Sequence, residues 1–431
     1  YRLKSFVSCN RVQCNAVVST LRMAEVFGFE CPTCGETLGA KLPAKNMVIA
    51  CSACGLEFAV KRPARVRERR HPQPVGRDTL DVAGPTSASP SDTSDAPKKV
   101  KGALTEAVLE QARQGRVHSI DSRHATLDPA VARRVVPELL GAGCSLRTLD
   151  MSFVQLDGTW AATFGKAKVC STALHTLRLI RCGLQGPLPK LVLPALQVLD
   201  MSDNHLIGGL EPLQGCTALQ ELFVCANQLA GGLEPLRGCT ALQQLDGSDN
   251  QLTGELKPLK ACTALQHLSL NNNLLTGDLK PLRRCTALQL LLLHNNKLIG
   301  GLEPLQNCTA LQRLNCSDNQ LIGELDPLKA CQALQELDLS RNQHLRGGLE
   351  PLQSCTALEA LELSDNQLTG GLTSLRGCTA LKLLDFKYNR MAPTDEDKAH
   401  FEHLCYEFLS SCFLQYSSEE GEGEDGSEEA I

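Results

Sequence analysis

The sequence predicts an α/β solenoid: a chain wound into coils of about 23 residues, with a parallel sheet on the concave face, a mostly irregular convex side and helical caps. Three observations carry this. One phrase recurs, as in CTALQELFVCANQLAGGLEPLRG from Cys216 and CTALQQLDGSDNQLTGELKPLKA from Cys239. One Asn marks each coil: Asn204, Asn227, Asn250, Asn273, Asn296, Asn319 and Asn342 fall every 23 residues, then Asn366 after 24 and Asn389 after 23. The leucines are spaced L-x-x-L-x-L, as in Leu265, Leu268 and Leu270. The last two lie two apart, which puts both on one face of a short strand, and one strand per coil stacks into a parallel sheet.

A single 23-residue coil cannot bury its own leucines, so each needs neighbours, and roughly three or more are needed for stability. First leucines from Leu146 to Leu381 mark about eleven coils over residues 144–391. The Asn at each strand-to-turn bend is placed to bond backbone groups the bend leaves unpaired. The Cys three residues before the first leucine (Cys216, Cys239, Cys262, Cys285, Cys308, Cys331, Cys355 and Cys378) reads as a small buried hydrophobe. A stacked disulfide series or a thiol-metal ladder is the competing reading. Thiols used in this way point to an intracellular, reducing compartment, the cytoplasm or nucleus or an organelle. The chain opens at Tyr1 rather than Met, so the sequence is silent on any targeting segment.

Residues 1–60 form a separate unit. Cys31 and Cys34, then Cys51 and Cys54, give C-x2-C-x16-C-x2-C, with Gly35 and Gly55 after each pair. Two C-x-x-C-G turns that each aim two thiolates at one point suit a tetrahedral structural Zn2+ site, against the alternative of a redox C-x-x-C pair. Val48, Ile49 and Ala50 before the second pair and Leu56, Phe58 and Val60 after it read as a hairpin. Cys9 and Cys14 add two thiols that read as packed or free. Asn15 to Phe27 reads as a short amphipathic helix.

Residues 61–101 read as a linker, first basic and then rich in Pro and Ser. Its start, 61–77, carries seven Lys or Arg against one Glu, including Lys61, Arg62, Arg65, Arg67, Arg69 and Arg70. Such a run suits a phosphate backbone or a solvated arm equally. Residues 78–101, with GPTSASPSDTSDAP, read as a tether.

Residues 102–143 are expected to form a helical N-terminal cap. Leu104, Val108 and Ala112 step by four before the stop signal Gly115, and Val131, Val135, Val136, Leu139 and Leu140 form a second apolar run. Residues 392–416 supply the other cap, where Thr394 and Asp397 make a capping box and Phe401, Leu404, Cys405, Phe408 and Cys412 share a helical face. The tail, 417–431, carries seven acids and no base and reads as disordered.

No catalytic motif stands out. In GTWAATFGK (158–166) six residues separate the glycines and Ala167 follows the Lys, so it fails as a P-loop; H-F-E-H at 400–403 lacks zinc-protease spacing. No run of 18 apolar residues occurs, so no membrane span is expected, and no small-molecule substrate is implied. Function is therefore sought on the outward strand positions. The position after the second leucine reads Asp150, Arg178, Asp200, Phe223, Asp246, Ser269, Leu292, Asn315, Asp338, Glu362 and Asp385. Phe223, Leu290 and Leu292 are apolar anchors among acids, the composition of a protein-binding hot spot, with a partner of basic character.

Residues 144–391 resemble leucine-rich-repeat proteins, and the L-T-G-x-L-x-P-L half of each coil is similar to the wording of plant-type repeats. Pro here follows the Leu by two rather than directly, which argues against a plant-type second sheet. Residues 29–60 resemble a zinc ribbon. The first resemblance implies a non-catalytic scaffold that binds protein through the concave sheet. The alternative is a nucleic-acid or ribonucleoprotein component acting through residues 1–77.

Overall fold

The computed structural model describes strand residues 27–30, 37–40, 47–50 and 57–60, and then residues 98–401 apart from 103, 126–128, 142 and 157–169. The chain divides into two units, Tyr1–Ser91 and Asp92–Ile431. In the first, Phe27–Glu30 pairs antiparallel with Thr37–Ala40, and Met47–Ala50 pairs with Glu57–Val60. The second hairpin is the one read from the sequence. The first corrects the expected helical reading at its last residue, because Phe27 opens a strand. Cys31, Cys34, Cys51 and Cys54, the rest of the expected 15–27 helix, the basic residues Lys61 to Arg70 and the tail all lie outside the described residues.

The second unit is built on a thirteen-stranded sheet, with strands in sequence order from Lys98–Lys101 to Leu383–Asp385 and every neighbour parallel. Each repeat strand is three residues long, such as His267–Ser269. Its central leucine and the leucine two later are sealed inside, as with Leu268 and Leu270, while the flanking side chains face outward. Eleven strands belong to the expected coils. Two more, Lys98–Lys101 and Val117–Asp121, extend the sheet at its N-terminal edge. The tether reading is thus corrected at residues 98–101, and the helical cap is corrected to a strand with two helices. The lysine-rich Lys98–Lys101 is a poor apolar strand but suits a sheet edge, where lysines discourage further pairing.

The largest correction concerns the convex side, which is regular. After each Asn a second short strand forms, for example Gln228–Gly231, Gln251–Gly254 and Gln320–Gly323. These pair in parallel into two five-stranded ladders, one ending at Leu274–Leu275 and the other beginning at Ile299–Gly300. Lys297 N–H to Leu275 O (2.9 Å) and Ile299 N–H to Gly277 O (2.8 Å) carry the bonding across the seam. The glycine that ends or closely follows each of these strands has φ near +80°, as at Gly254 (81°) and Gly277 (81°), where a side chain would be strained. At Gly277 an added Cβ would also lie 2.8 Å from Glu255 Cγ. Beyond that turn comes a 3-10 helix such as Lys257–Ala261, with Pro258 in its first turn. The proline two residues after the leucine is therefore a 3-10 starter, where its fixed φ helps and its missing N–H costs nothing. It does not exclude the second sheet, which lies upstream of the proline.

The ladder cysteines are buried as expected. Cys262 Sγ donates to Cys239 O at 3.3 Å and Cys285 Sγ to Cys262 O at 3.4 Å, and burial pushes both thiols up to about 11. Every cysteine among the described residues is free. At the N-terminal end, α1 (Glu106–Arg113) and α2 (Pro129–Leu139) bury Leu109, Ala112, Val135, Val136 and Leu139 against the first strands. At the far end, α3 (Asp395–Phe401) opens with the expected capping box: Asp397 N–H donates to Thr394 Oγ1 and Thr394 N–H to Asp397 Oδ2, both at 3.1 Å. Asp397 also accepts from Leu372 N–H (3.2 Å) and from Arg376 (3.0 Å), so one buried carboxylate locks the cap onto the last coil.

Candidate interaction surface

The outward face of the main sheet is a grid, because in-register pairing sets equivalent residues of successive coils side by side. The repeat asparagines frame it. Asn273 Nδ2 donates to Gly247 O (2.9 Å), Leu270 O (3.1 Å) and Asn271 O (3.1 Å), while its Oδ1 accepts from Leu252 N–H at 2.8 Å. One amide thus stitches two coils, as expected of it.

The acids of the next column have a duty the sequence did not reveal. Asp246 Oδ1 accepts from Ser248 N–H (3.0 Å) and Ser248 Oγ (2.7 Å). Asp150, Asp200, Asp338 and Asp385 likewise accept the backbone N–H two residues on, at 3.0–3.1 Å. Each closes an Asx turn where the chain leaves the strand. The D-x-S-D-N spelling, with serine two residues after the Asp, was the available signal. One carboxylate oxygen of each is committed to the fold, and the second oxygen of Asp338 accepts from Asn315 Nδ2 at 2.9 Å.

The residue before each repeat Asn has φ near +55°, from Asp203 (57°) through Asp249 (54°) to Tyr388 (55°). Asp and Asn recur there because they tolerate the left-handed region. They form their own ladder: Asn272 Nδ2 donates to Asp249 (2.7 Å), Asn295 Nδ2 to Asn272 (3.0 Å), and Arg341 pairs with Asp318 at 3.4 Å. His124 stacks on Phe153 with centroids 4.5 Å apart at the N-terminal end.

The anchors do not form one patch. Leu290 and Leu292 stand side by side on one strand, half-buried, with His267 and Arg313 beside the first and Ser269 and Asn315 beside the second. Phe223 sits three strands away, between Asp200 and Asp246, about 14 Å from Leu292 on the usual strand spacing. Cys225 and Val198, half-buried near Phe223, were missed in the sequence because each occupies a normally polar position. Glu362 lies in the same column between Asp338 and Asp385. His294, next to Leu292 on this face, has a buried Nδ1 without a hydrogen-bond partner among the described residues. Burial lowers its pKa, outweighing the pull of Asp338, Asp249 and Asp318. Burial raises that of Asp200 against the opposing Ser202 and Arg178.

Among the described residues no three His, Cys, Asp or Glu side chains gather as a metal site. No described helix is long and apolar enough to cross a membrane.

The family model for Leucine Rich repeats matches twice, over residues 286–330 and 310–354. The array has the fold of a leucine-rich-repeat solenoid. Similar solved structures include the leucine-rich-repeat ectodomain of the Arabidopsis thaliana receptor kinase GASSHO1/SCHENGEN3 in complex with CASPARIAN STRIP INTEGRITY FACTOR 2, at 27% identity and a TM-score of 0.54. The plant peptide hormone receptor RGFR1 in complex with RGF2 is 28% identical with a TM-score of 0.54. The Arabidopsis receptor kinase HAESA, in complex with the peptide hormone IDA and the co-receptor SERK1, is 25% identical, also at 0.54. Each match covers 68% of this chain but only 40%, 51% and 52% of the receptor chain, respectively, so the leucine-rich-repeat array spans about half of those structures or less. No curated protein matched the sequence.

Proposed function

We propose that this leucine-rich-repeat array is a non-catalytic scaffold that binds a protein partner on the concave main sheet, through Phe223 at one point and Leu290 with Leu292 at another. The observation that carries the reading is the placement of these side chains, half-exposed and outward on a rigid sheet whose neighbouring positions are polar. The negative charge that Asp200, Asp246, Asp338, Glu362 and Asp385 place in one column of the sheet favours a basic partner. The plant receptors of similar fold are complexed with peptide ligands, which supports a protein or peptide partner here. The test is a pulldown from cell extract with fragments 1–77 and 92–431, with and without nuclease. Partners held by the second fragment after nuclease, and lost on Phe223→Ala with Leu292→Ala, support the scaffold; each truncation is expected to cost on the order of 2 kcal/mol. Partners held only by the first fragment and released by nuclease would favour nucleic-acid binding through the basic residues 61–77.

For residues 1–60 the proposal is a structural Zn2+ on Cys31, Cys34, Cys51 and Cys54. In its support, each C-x-x-C pair falls within the six residues that join two paired strands. Metal analysis of the isolated 1–60 fragment should find one zinc, and Cys51→Ser should abolish its retention. A reducing, intracellular location is proposed alongside it, supported by the many unpaired cysteines.

A further inference from the structure

The 3-10 helices of successive coils line up as a ridge on the side opposite the main sheet. Their first residue is acidic at Glu211, Glu234, Glu303, Asp326 and Glu350, but lysine at the two adjacent turns Lys257–Ala261 and Lys280–Arg284. Lys257 and Lys280 are paired locally with Glu255 (2.9 Å) and Asp278 (2.6 Å). Lys260, Arg283, Arg284 and the neighbouring Arg237 are exposed and make no ion pair among the described residues. An otherwise acid-led ridge therefore has one positive island.

We propose that this island is a docking surface for an acidic segment, and that its occupant is the chain's own C-terminal stretch, residues 417–431. Charge complementarity is the first argument: the stretch carries seven acids and no base. The acids that lead most other turns of the ridge, and those of the main sheet, repel it and direct it to this island, where Arg237, Lys260, Arg283 and Arg284 gather, whereas Lys329 on the turn Asp326–Ala330 stands on an acid-led turn. Position is the second. Through Asp397 and Glu396, α3, the last described element before the stretch, is fastened to Arg376 on the last turn of this same ridge. From Thr373–Gly377 back to Lys280–Arg284 is four coils, about 20 Å at the usual strand spacing. The fifteen residues of the stretch themselves span roughly 20 Å on polymer statistics, and fifteen more, 402–416, connect them to Phe401. Tethering supplies a high local concentration, so individually weak charge pairs suffice.

The test is zero-length carbodiimide crosslinking of the full chain, read by mass spectrometry on an equimolar mixture of isotope-labelled and unlabelled protein. The expected result is same-chain crosslinks from Lys257, Lys260 or Lys280 to glutamates 419–429, lost at about 1 M salt, where the Debye length falls to about 3 Å. The triple variant Arg237→Glu, Arg283→Glu, Arg284→Glu keeps all three reporting lysines and should lower the yield roughly tenfold. Its melt should match the parent, because the replaced side chains are exposed. Crosslinks spread evenly over other lysines, crosslinks only between labelled and unlabelled chains, no tail crosslink, or a yield unchanged in the variant would each overturn the proposal.

Discussion

Asp246 carries two demands on one carboxylate: Oδ1 closes the Asx turn at Ser248, and its charge belongs to the surface proposed for a basic partner. The fold shows how to separate them, because Asn315 occupies the equivalent position and accepts from Ser317 N–H (3.0 Å) and Oγ (2.7 Å) in the same geometry. Asp246→Asn should keep the melting temperature, while Asp246→Ala should lose about 1 kcal/mol, as for other side-chain caps. Both should weaken a basic partner, and equal destabilisation by the two would refute the cap. His294 makes a second residue-level case. Its folded pKa is depressed, so the unfolded chain takes up the proton first. Its contribution to stability is present above about pH 6.5 and is lost as the pH falls through the folded value. The imidazole resonances should titrate below 6.5, and a midpoint above that would contradict the burial argument.

At the scale of the element, the C-terminal cap turns on Asp397. Burial alone would raise its pKa, but hydrogen bonds from Thr394, Leu372 and Arg376 outweigh burial and hold it below the ordinary carboxylate value. A depressed acid stabilises the fold above its unfolded pKa, near 3.9, and the stabilisation is lost as the pH falls through the lower folded value. Asp397→Ala should therefore cost on the order of 1–3 kcal/mol at pH 7, since it leaves Leu372 N–H and Thr394 N–H unsatisfied. Denaturant midpoints of parent and variant should converge well below pH 4. A gap that persists there would mean that the contribution is packing rather than charge.

At the scale of the molecule, each coil touches only its neighbours, so damage should spread from an end. In Asp397→Ala the amides of the last strand, Leu383–Asp385, should exchange faster while those of His267–Ser269 keep their protection. Uniform loss would mean that the array melts as a single unit. The ladder thiols offer a second readout. With Cys262, Cys285 and Cys308 buried and their pKa values raised to about 11, they should resist alkylation in the native state and label only as coils open.

The sequence by itself determined whatever depends on spacing within one coil: the period, the inward leucines, the stitching asparagines, the buried cysteine slot, and the Thr394–Asp397 box. These are legible because a strand's alternation and a turn's chemistry are local, and repetition shows each position many times over. Only the tertiary structure decided what depends on bonds between coils or on which rival local use wins. The second ladders form through hydrogen bonds to residues about one repeat away, such as Ile299 N–H to Gly277 O, and no pattern of side chains advertises them. Lys98–Lys101 is a strand because a neighbouring edge was open to it, not because its residues favour one. The surface acids looked like ligand contacts, yet packing placed a backbone N–H within reach of each aspartate. Likewise, only the register of the sheet set Phe223 three strands from Leu292, making two footholds where the sequence suggested one.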